Sequence, residues 1–433
     1  MERSFMHDFW PRLQSLAGKL FRTGFFSVFL SNVLCKVLTF IGGMVIVRIL
    51  SKTDYGAYTY INNCYAMLML LGDLGCSVAV MQFCSEYFGE PHKFDAWFVY
   101  GFQKGILFSA ITSLLFLLSP LFYPFKSAEA AGLTRLLFLM PILTSVNAFL
   151  SINLRVRLEN TRYSLSNIFQ SFVHYLIILP LSYRFGVAGA VLSNYVIGLL
   201  VLFFNLAISR KLLAYSRQPV LLEKRERRNF LKLALASQLN NGTSHALMLL
   251  DVFLIGLIIA EDEVISSYKV ATTIPAALAF IPASIMVYLL PYFARNNQNQ
   301  SWVRRNYFKL TLGCAAGNSI IALGGILVAP WIIPLLFGRQ YQDAVPCFII
   351  LMIGYFFSAT FQVPSQNIIY TQRKVRINII ITFFAGIVNC VLDVALIFYF
   401  GSLGAAWATT LVHIISSILC FGYMCYYLRE ATV

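Results

Sequence analysis

Three lysines and three aspartates interrupt the long apolar stretches of this chain. The cations are Lys36, Lys104 and Lys269, with Arg48 at the end of the first stretch, and the acids are Asp73, Asp251 and Asp393. If these stretches cross a bilayer, each charge at mid-depth costs at least about 2.5–3.5 kcal/mol on insertion scales. Such groups therefore face a bundle interior or a wet cavity. Cationic walls in a cavity focus anions, and Lys and Arg match phosphate oxygens well. Intramembrane aspartates carry protons or cations. Asn, Gln, Ser and Tyr offer the donors and acceptors that sugar hydroxyls need.

Helical spacing groups these residues into stripes. Asn32, Lys36, Thr39 and Gly43 share one face, as do Asn62, Ala66, Met69, Asp73 and Ser77. Ser237, Asn241, Ser244, Met248 and Asp251 form a third stripe, and Asn378, Thr382, Gly386, Asn389 and Asp393 a fourth. These faces are too polar for lipid and must meet protein or water. Asn32, Asp73, Asn241, Asp251, Asn389 and Asp393 are the candidates for a polar, ion-coupling lining. Lys36, Arg48, Lys104 and Lys269 are the candidates for an anion-binding wall. Plainer roles stand beside these. The aspartates suit interhelical struts, Lys104 suits snorkelling, and Arg48 suits an interfacial anchor. His174, His245 and His413 suit hydrogen-bonded core positions.

The elements that must position these side chains follow from composition. Of 433 residues, 59% are hydrophobic and 12% charged, and mean hydropathy is +0.73. A soluble domain is about a quarter charged, so the bilayer must be the main solvent here. Twelve stretches are long enough to span it: 24–47, 56–82, 97–123, 133–154, 164–183, 187–208, 232–259, 264–292, 308–336, 343–368, 376–399 and 404–428. The fold class is thus an all-α polytopic membrane protein. Nine cysteines lie mostly inside the apolar runs without a CxxC pair, and read as small hydrophobes.

Net charge is +15. On a soluble protein that excess would suggest nucleic acid; here it fits the basic bias of cytoplasmic loops, and no nucleic-acid partner is expected. With the N-terminus inside, 24 basic residues fall on inner segments and six on outer ones. That split supports twelve spans with both termini cytoplasmic. Residues 1–22 lack the pattern of a cleaved signal and read as a basic amphipathic leader lying on the inner leaflet.

The turn FGVAGA at 185–190 returns as FGSLGA at 400–405, an offset of 215 residues. The first joins spans five and six, the second spans eleven and twelve. An even number of spans per copy makes this a parallel repeat about an axis along the membrane normal. The expected division is an N-terminal six-helix bundle at 23–208, a basic linker at 209–231 and a C-terminal six-helix bundle at 232–429. Two such bundles around a central cavity suit a transporter that works by alternating access. Pro275, Pro282 and Pro291 permit bends in span eight.

The stretch RILSKTDYGAYTYINNCYAMLMLLGDLGCSVAVMQFCSEYF (48–88) contains an Arg-x-Leu-Ser turn, Tyr55-Gly56-x-Tyr58 and a closing Gly-Asp-Leu-Gly cluster. It resembles the opening of bacterial polysaccharide-unit flippases of the Wzx type, in the MOP exporter superfamily. The stretch SSYKVATTIPAALAFIPASIMVYLLPYFAR (266–295) resembles the same family's seventh-to-eighth-span hairpin. The resemblance spans the chain in length and span count. It implies two bundles in a V, an inner-membrane location, and translocation of undecaprenyl-pyrophosphate-linked oligosaccharide from the cytoplasmic to the periplasmic leaflet. It also implies a cationic cavity for the pyrophosphate, onto which Arg48, Lys36 and Lys269 fall by position. Lysine at 36 and 269 gives weaker bidentate geometry than arginine. Membrane lipids and a polysaccharide polymerase are the partners that this resemblance brings, with roles in O-antigen or lipopolysaccharide assembly.

A cation-coupled drug or toxin exporter of the same fold is the alternative, kept open by Asp73, Asp251 and Asp393. An integral-membrane enzyme would need a larger outer loop than any here. No GxxxxGK[ST] loop and no His/Cys cluster of metal spacing occurs, so no cofactor is expected. Energy would come from a proton or sodium gradient, or from consumption of the product outside.

Overall fold

In hydrocarbon every backbone N–H and C=O must be satisfied within its own segment, so the apolar stretches fold as helices. The computed structural model describes residues 25–121, 124–212 and 222–430. The expected leader at 1–22 lies outside them, as does the middle of the basic linker, and so does the Ser244 side chain of the third stripe.

The helices are α1 (Phe25–Ile49), α2 (Lys52–Met69), α3 (Cys76–Glu86), α4 (Pro91–Leu118), α5 (Ala128–Leu136), α6 (Met140–Val156) and α7 (Asn160–Ser209). They continue as α8 (Lys224–Ile258), α9 (Asp262–Leu278), α10 (Phe280–Arg295), α11 (Gln300–Phe337), α12 (Val345–Phe357), α13 (Val363–Thr371) and α14 (Val375–Glu430). A 3₁₀ stretch, Arg339–Ala344, precedes α12, and a π-helical stretch, Ser358–Gln362, joins α12 to α13.

Among the described residues seven helices are long and apolar enough to cross a membrane, or nine if two bent pairs each count as one span. The pairs are α5 with α6, bent by 42°, and the two parts of α8, bent by 43°. The 50 residues of α7 would reach about 75 Å as one rod, far beyond a hydrocarbon core of about 30 Å. The chain reverses instead at Gly186, with φ 56° and ψ −138°. In the 56-residue α14 it reverses at Gly401, with φ 62° and ψ −137°. Dividing these hairpins, and adding α2 with α3, accords with twelve crossings.

The two reversals are the same structure. A Cβ on Gly189 would lie 2.1 Å from the Leu181 carbonyl oxygen, and one on Gly404 would lie 2.0 Å from that of Leu396. Each FGxxGA turn thus uses its first glycine for a backbone conformation closed to L side chains. It uses its second to let the returning arm touch the backbone of the first.

Span two is not the continuous helix over 56–82 that its apolar run suggests. It stops at Met69 and restarts at Cys76. Gly75, at φ 77°, sits in the break, where a Cβ would lie 2.3 Å from the Ala234 carbonyl oxygen. At its start Ser51 caps α2, its Oγ accepting from Asp54 N at 3.1 Å, which gives the Arg-x-Leu-Ser turn its serine.

The chain divides into two compact units. One holds the described residues up to Ile49 with Cys64–Ala246, the other Leu50–Asn63 with Leu247–Val433. The units interleave in sequence, whereas the sequence suggests a clean division at 209–231. The cause is packing: Leu222, Phe230 and Ala234 sit in the first unit's core with Cys76, Val80, Trp97 and Phe149. In the second unit Asn63 Nδ2 donates to the Leu249 carbonyl at 3.0 Å, and Lys52 Nζ meets Asp343 Oδ2 at 2.7 Å. Ser267 Oγ donates to the same Asp343 oxygen at 2.7 Å. A second core there gathers Met286, Phe293, Tyr307, Ile368, Met424 and Leu428.

Candidate ion and headgroup sites

The second unit brings two of the sequence-predicted acids together. Asp251 lies on α8 and Asp393 on the first arm of α14, and their carboxyls adjoin. Asp251 Oδ2 accepts from Thr409 Oγ1 at 2.8 Å and from the Tyr268 hydroxyl. Tyr268, on α9, is only 1% exposed. Asp393 is 0% exposed, and neither of its carboxylate oxygens has a hydrogen-bond donor among the described residues. Asn389, buried one turn earlier, shares its face.

The α14 reversal explains the assembly. Asp393 precedes Gly401 by eight residues and Thr409 follows it by eight, so antiparallel arms place them at one depth. The first unit has no such site at the matching positions. There, 215 residues earlier, stand Ile178 and Asn194, and Asn194 Nδ2 donates to the Val191 carbonyl at 2.9 Å.

Two adjoining carboxyls out of water cannot both stay ionised unless a positive charge joins them. The donor set is all oxygen and suits a proton or a hard monovalent cation. Among the described residues no group of three or more His, Cys, Asp or Glu could hold a metal.

Asp73 has another job. Its Oδ1 accepts from Gly75 N at 3.1 Å and its Oδ2 from Ser77 N at 2.8 Å, capping α3 where span two restarts. The carbonyls freed by the break are met as well. Thr112 Oγ1 donates to the Gly72 carbonyl at 3.1 Å, and Gln238 Nε2 donates to that of Leu70. Asp73 thus serves the local backbone of the first unit.

The cations fall into two settings. Lys104 Nζ stands 5.9 Å from the Tyr100 ring centroid, and Arg227 Cζ stands 5.7 Å from the same ring. Trp97 and Phe230 hold that tyrosine by edge contacts at 6.1 and 5.4 Å. Two positive groups beside one aromatic ring form a cationic patch suited to phosphate oxygens. Tyr100 and Arg227 were not legible as site residues, because Arg227 belongs to the basic linker in sequence.

Lys36 is exposed on α1, and Lys269 keeps accessible surface on α9. It follows Tyr268 directly, so its side chain leaves the helix about 100° away from the Asp251 contact. Lys36, Lys104 and Lys269 form no ion pair among the described residues. Arg48, Asn32 and Asn241 are exposed and do not join the carboxyl pair.

A further polar belt runs through the second unit. Asn318 Nδ2 donates to Thr360 Oγ1 at 3.2 Å, and the Tyr355 hydroxyl donates to Asn318 Oδ1 at 3.3 Å. His413 Nδ1 lies 3.0 Å from Gln362 Oε1. Thr360 and Gln362 both sit in the π-helical stretch, where an extra residue per turn re-aims side chains.

Residues 21–297 match the family described as polysaccharide biosynthesis protein. No curated protein sequence gives a significant match. Among solved structures, the chain is similar to an inward-facing multidrug resistance MATE family transporter of the MOP superfamily. The TM-score is 0.75 at 13% identity, covering 92% of this chain and 95% of that one. It is similar also to the lipid II flippase MurJ in an inward closed conformation, with TM-score 0.71, 15% identity, and coverage of 94% and 89%. A MOP superfamily transporter from Pyrococcus furiosus gives TM-score 0.56 at 13% identity, covering 95% and 94%. These likenesses show that the chain shares its fold with those transporters.

Proposed function

We propose that this chain, which belongs to the polysaccharide biosynthesis protein family, flips a lipid-linked oligosaccharide with a phosphate-bearing headgroup. The cargo is undecaprenyl-pyrophosphate-linked glycan, moved from the cytoplasmic to the periplasmic leaflet of a bacterial inner membrane, with both termini cytoplasmic. The observation that carries this reading is the set of lysines at 36, 104 and 269, placed in apolar helices without a carboxylate partner. Lone cations in such helices are retained at a cost, and a phosphate-bearing cargo is the partner that offsets it. Lys104 and Arg227, beside the Tyr100 ring, are the pair suited to a phosphate oxygen, and Lys36 and Arg48 of the first unit and Lys269 of the second are further candidate cations.

The adjoining Asp251 and Asp393 carry the energy coupling. A proton or sodium ion held there, with Tyr268, Thr409 and Asn389 around it, neutralises the pair. Its loss leaves two like charges that favour a different packing of α8 against α14. This chain's own residues bind and release the ion; no bond in the cargo is broken, so the reading is of a transporter and not an enzyme. A polysaccharide polymerase that consumes the product outside is the natural partner.

The second reading is an exporter of cationic drugs, favoured by the same acid pair. Deleting the gene separates the two. Loss of surface polysaccharide, restored by the wild-type gene and not by a Lys36→Ala/Lys104→Ala/Lys269→Ala variant that still reaches the membrane, supports the flippase. Intact polysaccharide with new drug sensitivity supports the exporter.

A further inference from the structure

A pocket of about 410 Å³ opens in the second unit, lined by Asn297, Gln298, Gln300, Gln372, Arg373 and Tyr427. Three segments meet there: the link between α10 and α11, the link between α13 and α14, and the last turns of α14. This end of the unit is its basic one, carrying Arg295, Arg304, Arg305, Arg373, Lys374, Arg376 and Arg429. The carboxyl pair and the lysines discussed above are not among its lining residues.

Gln300 organises the floor. Its Nε2 donates to the Asn297 carbonyl at 3.0 Å and to Gln372 Oε1 at 3.1 Å, with the Tyr427 hydroxyl at 3.4 Å. The Asn297 partner is a backbone carbonyl, which only accepts, so the amide cannot be turned round. Its Oε1 is therefore fixed the other way, and it is buried without a donor. A buried acceptor left without a donor is unfavourable, and a hydroxyl from outside the chain would satisfy it.

The rim supplies positive charge. Arg373 has φ 59°, a left-handed conformation that an L side chain rarely adopts, and its exposed guanidinium makes no ion pair among the described residues. Lys374 Nζ lies 5.4 Å from the Tyr427 ring centroid. A hydroxyl-seeking floor beneath a cationic rim matches a polyol joined to a phosphodiester. The pocket also stands where the long apolar helices α11 and α14 reach their basic ends, the kind of position that draws anionic headgroups.

We infer that this pocket binds the phosphoglycerol headgroup of an anionic phospholipid. The lipid phosphate meets Arg373 and Lys374, and a glycerol hydroxyl donates to Gln300 Oε1. This inference is independent of the cargo and of the carboxyl pair.

The test uses the full chain purified in detergent, followed by thermal unfolding and by native mass spectrometry. Phosphatidylglycerol, phosphatidylcholine and soluble glycerol phosphate are added separately. Phosphatidylglycerol alone is expected to raise the unfolding temperature and to remain as a bound adduct. Arg373→Gly, whose backbone suits glycine, and Gln300→Leu should each raise the lipid concentration for half-maximal effect at least tenfold. Arg373→Gly keeps the test decisive if Gln300→Leu fails to fold. Equal response of wild type and variants, an equal effect of phosphatidylcholine, or the absence of any adduct overturns the inference. So does soluble glycerol phosphate acting as well as the lipid, since the site would then belong to a free metabolite.

Discussion

Thr409 Oγ1 donates to Asp251 Oδ2 across 2.8 Å, linking residues 158 apart in sequence, and the same aspartate adjoins Asp393. The hydroxyl fixes one carboxyl beside the other, and on the proposed reading the pair takes up a positive charge. Purified protein should therefore gain thermal stability when choline is replaced by sodium, or when pH is varied, according to the coupling ion. Asp393→Asn should abolish that response while folding normally, because it removes a buried charge without removing volume. Thr409→Ala should weaken the response about tenfold, the worth of one hydrogen bond to a charged group. An undiminished response in Asp393→Asn would remove the pair from ion coupling.

On the proposed reading, Lys104 and Arg227, both beside the Tyr100 ring, act on the cargo phosphate together. Each single alanine substitution should weaken substrate-dependent protection, read in membranes loaded with lipid-linked glycan, by about 1.5–3 kcal/mol. The double variant should fall short of the sum, because both cations address the same phosphate. Additive losses would mean two separate contacts.

Asp73→Ala should destabilise the protein by about 0.5–2 kcal/mol, the range for loss of a helix cap. Asp73→Asn should keep most of the stability and all of the ion response, since an amide oxygen still accepts from the backbone. Loss of coupling in Asp73→Asn would restore this residue to the ion path. Fluorescence-monitored unfolding in sodium and choline reads both quantities.

The two FGxxGA turns should respond alike. Gly186→Ala and Gly401→Ala each force a side chain into a glycine-only conformation, at about 1–3 kcal/mol. Gly189→Ala and Gly404→Ala should cost more, since the added methyl meets a carbonyl oxygen at 2.1 and 2.0 Å. Monodisperse yield after detergent extraction orders the four variants.

Much of this architecture is legible in the sequence. The repeated turn announced itself as six residues recurring at an offset of 215, and both copies adopt the same φ and ψ. Asp251 and Asp393 stood out because charges are expensive in an apolar run. Their meeting was hidden, since no spacing rule joins α8 to α14; the equal distances of Asp393 and Thr409 from Gly401 were the available clue. The break at 70–75 was masked by the apolar residues around Gly72 and Gly75, which kept hydropathy high while the backbone left the helix. Arg227 escaped notice because charge counting assigned it to a solvated linker, whereas Phe230, three residues on, anchors that segment in the first unit's core.

The exchange of segments between the two units bears on how such a molecule can be divided. A gene cut at the basic linker would yield one product without the 232–246 strip of its own core and another without 50–63. Neither product could complete itself, and mixing them should restore what each lacks.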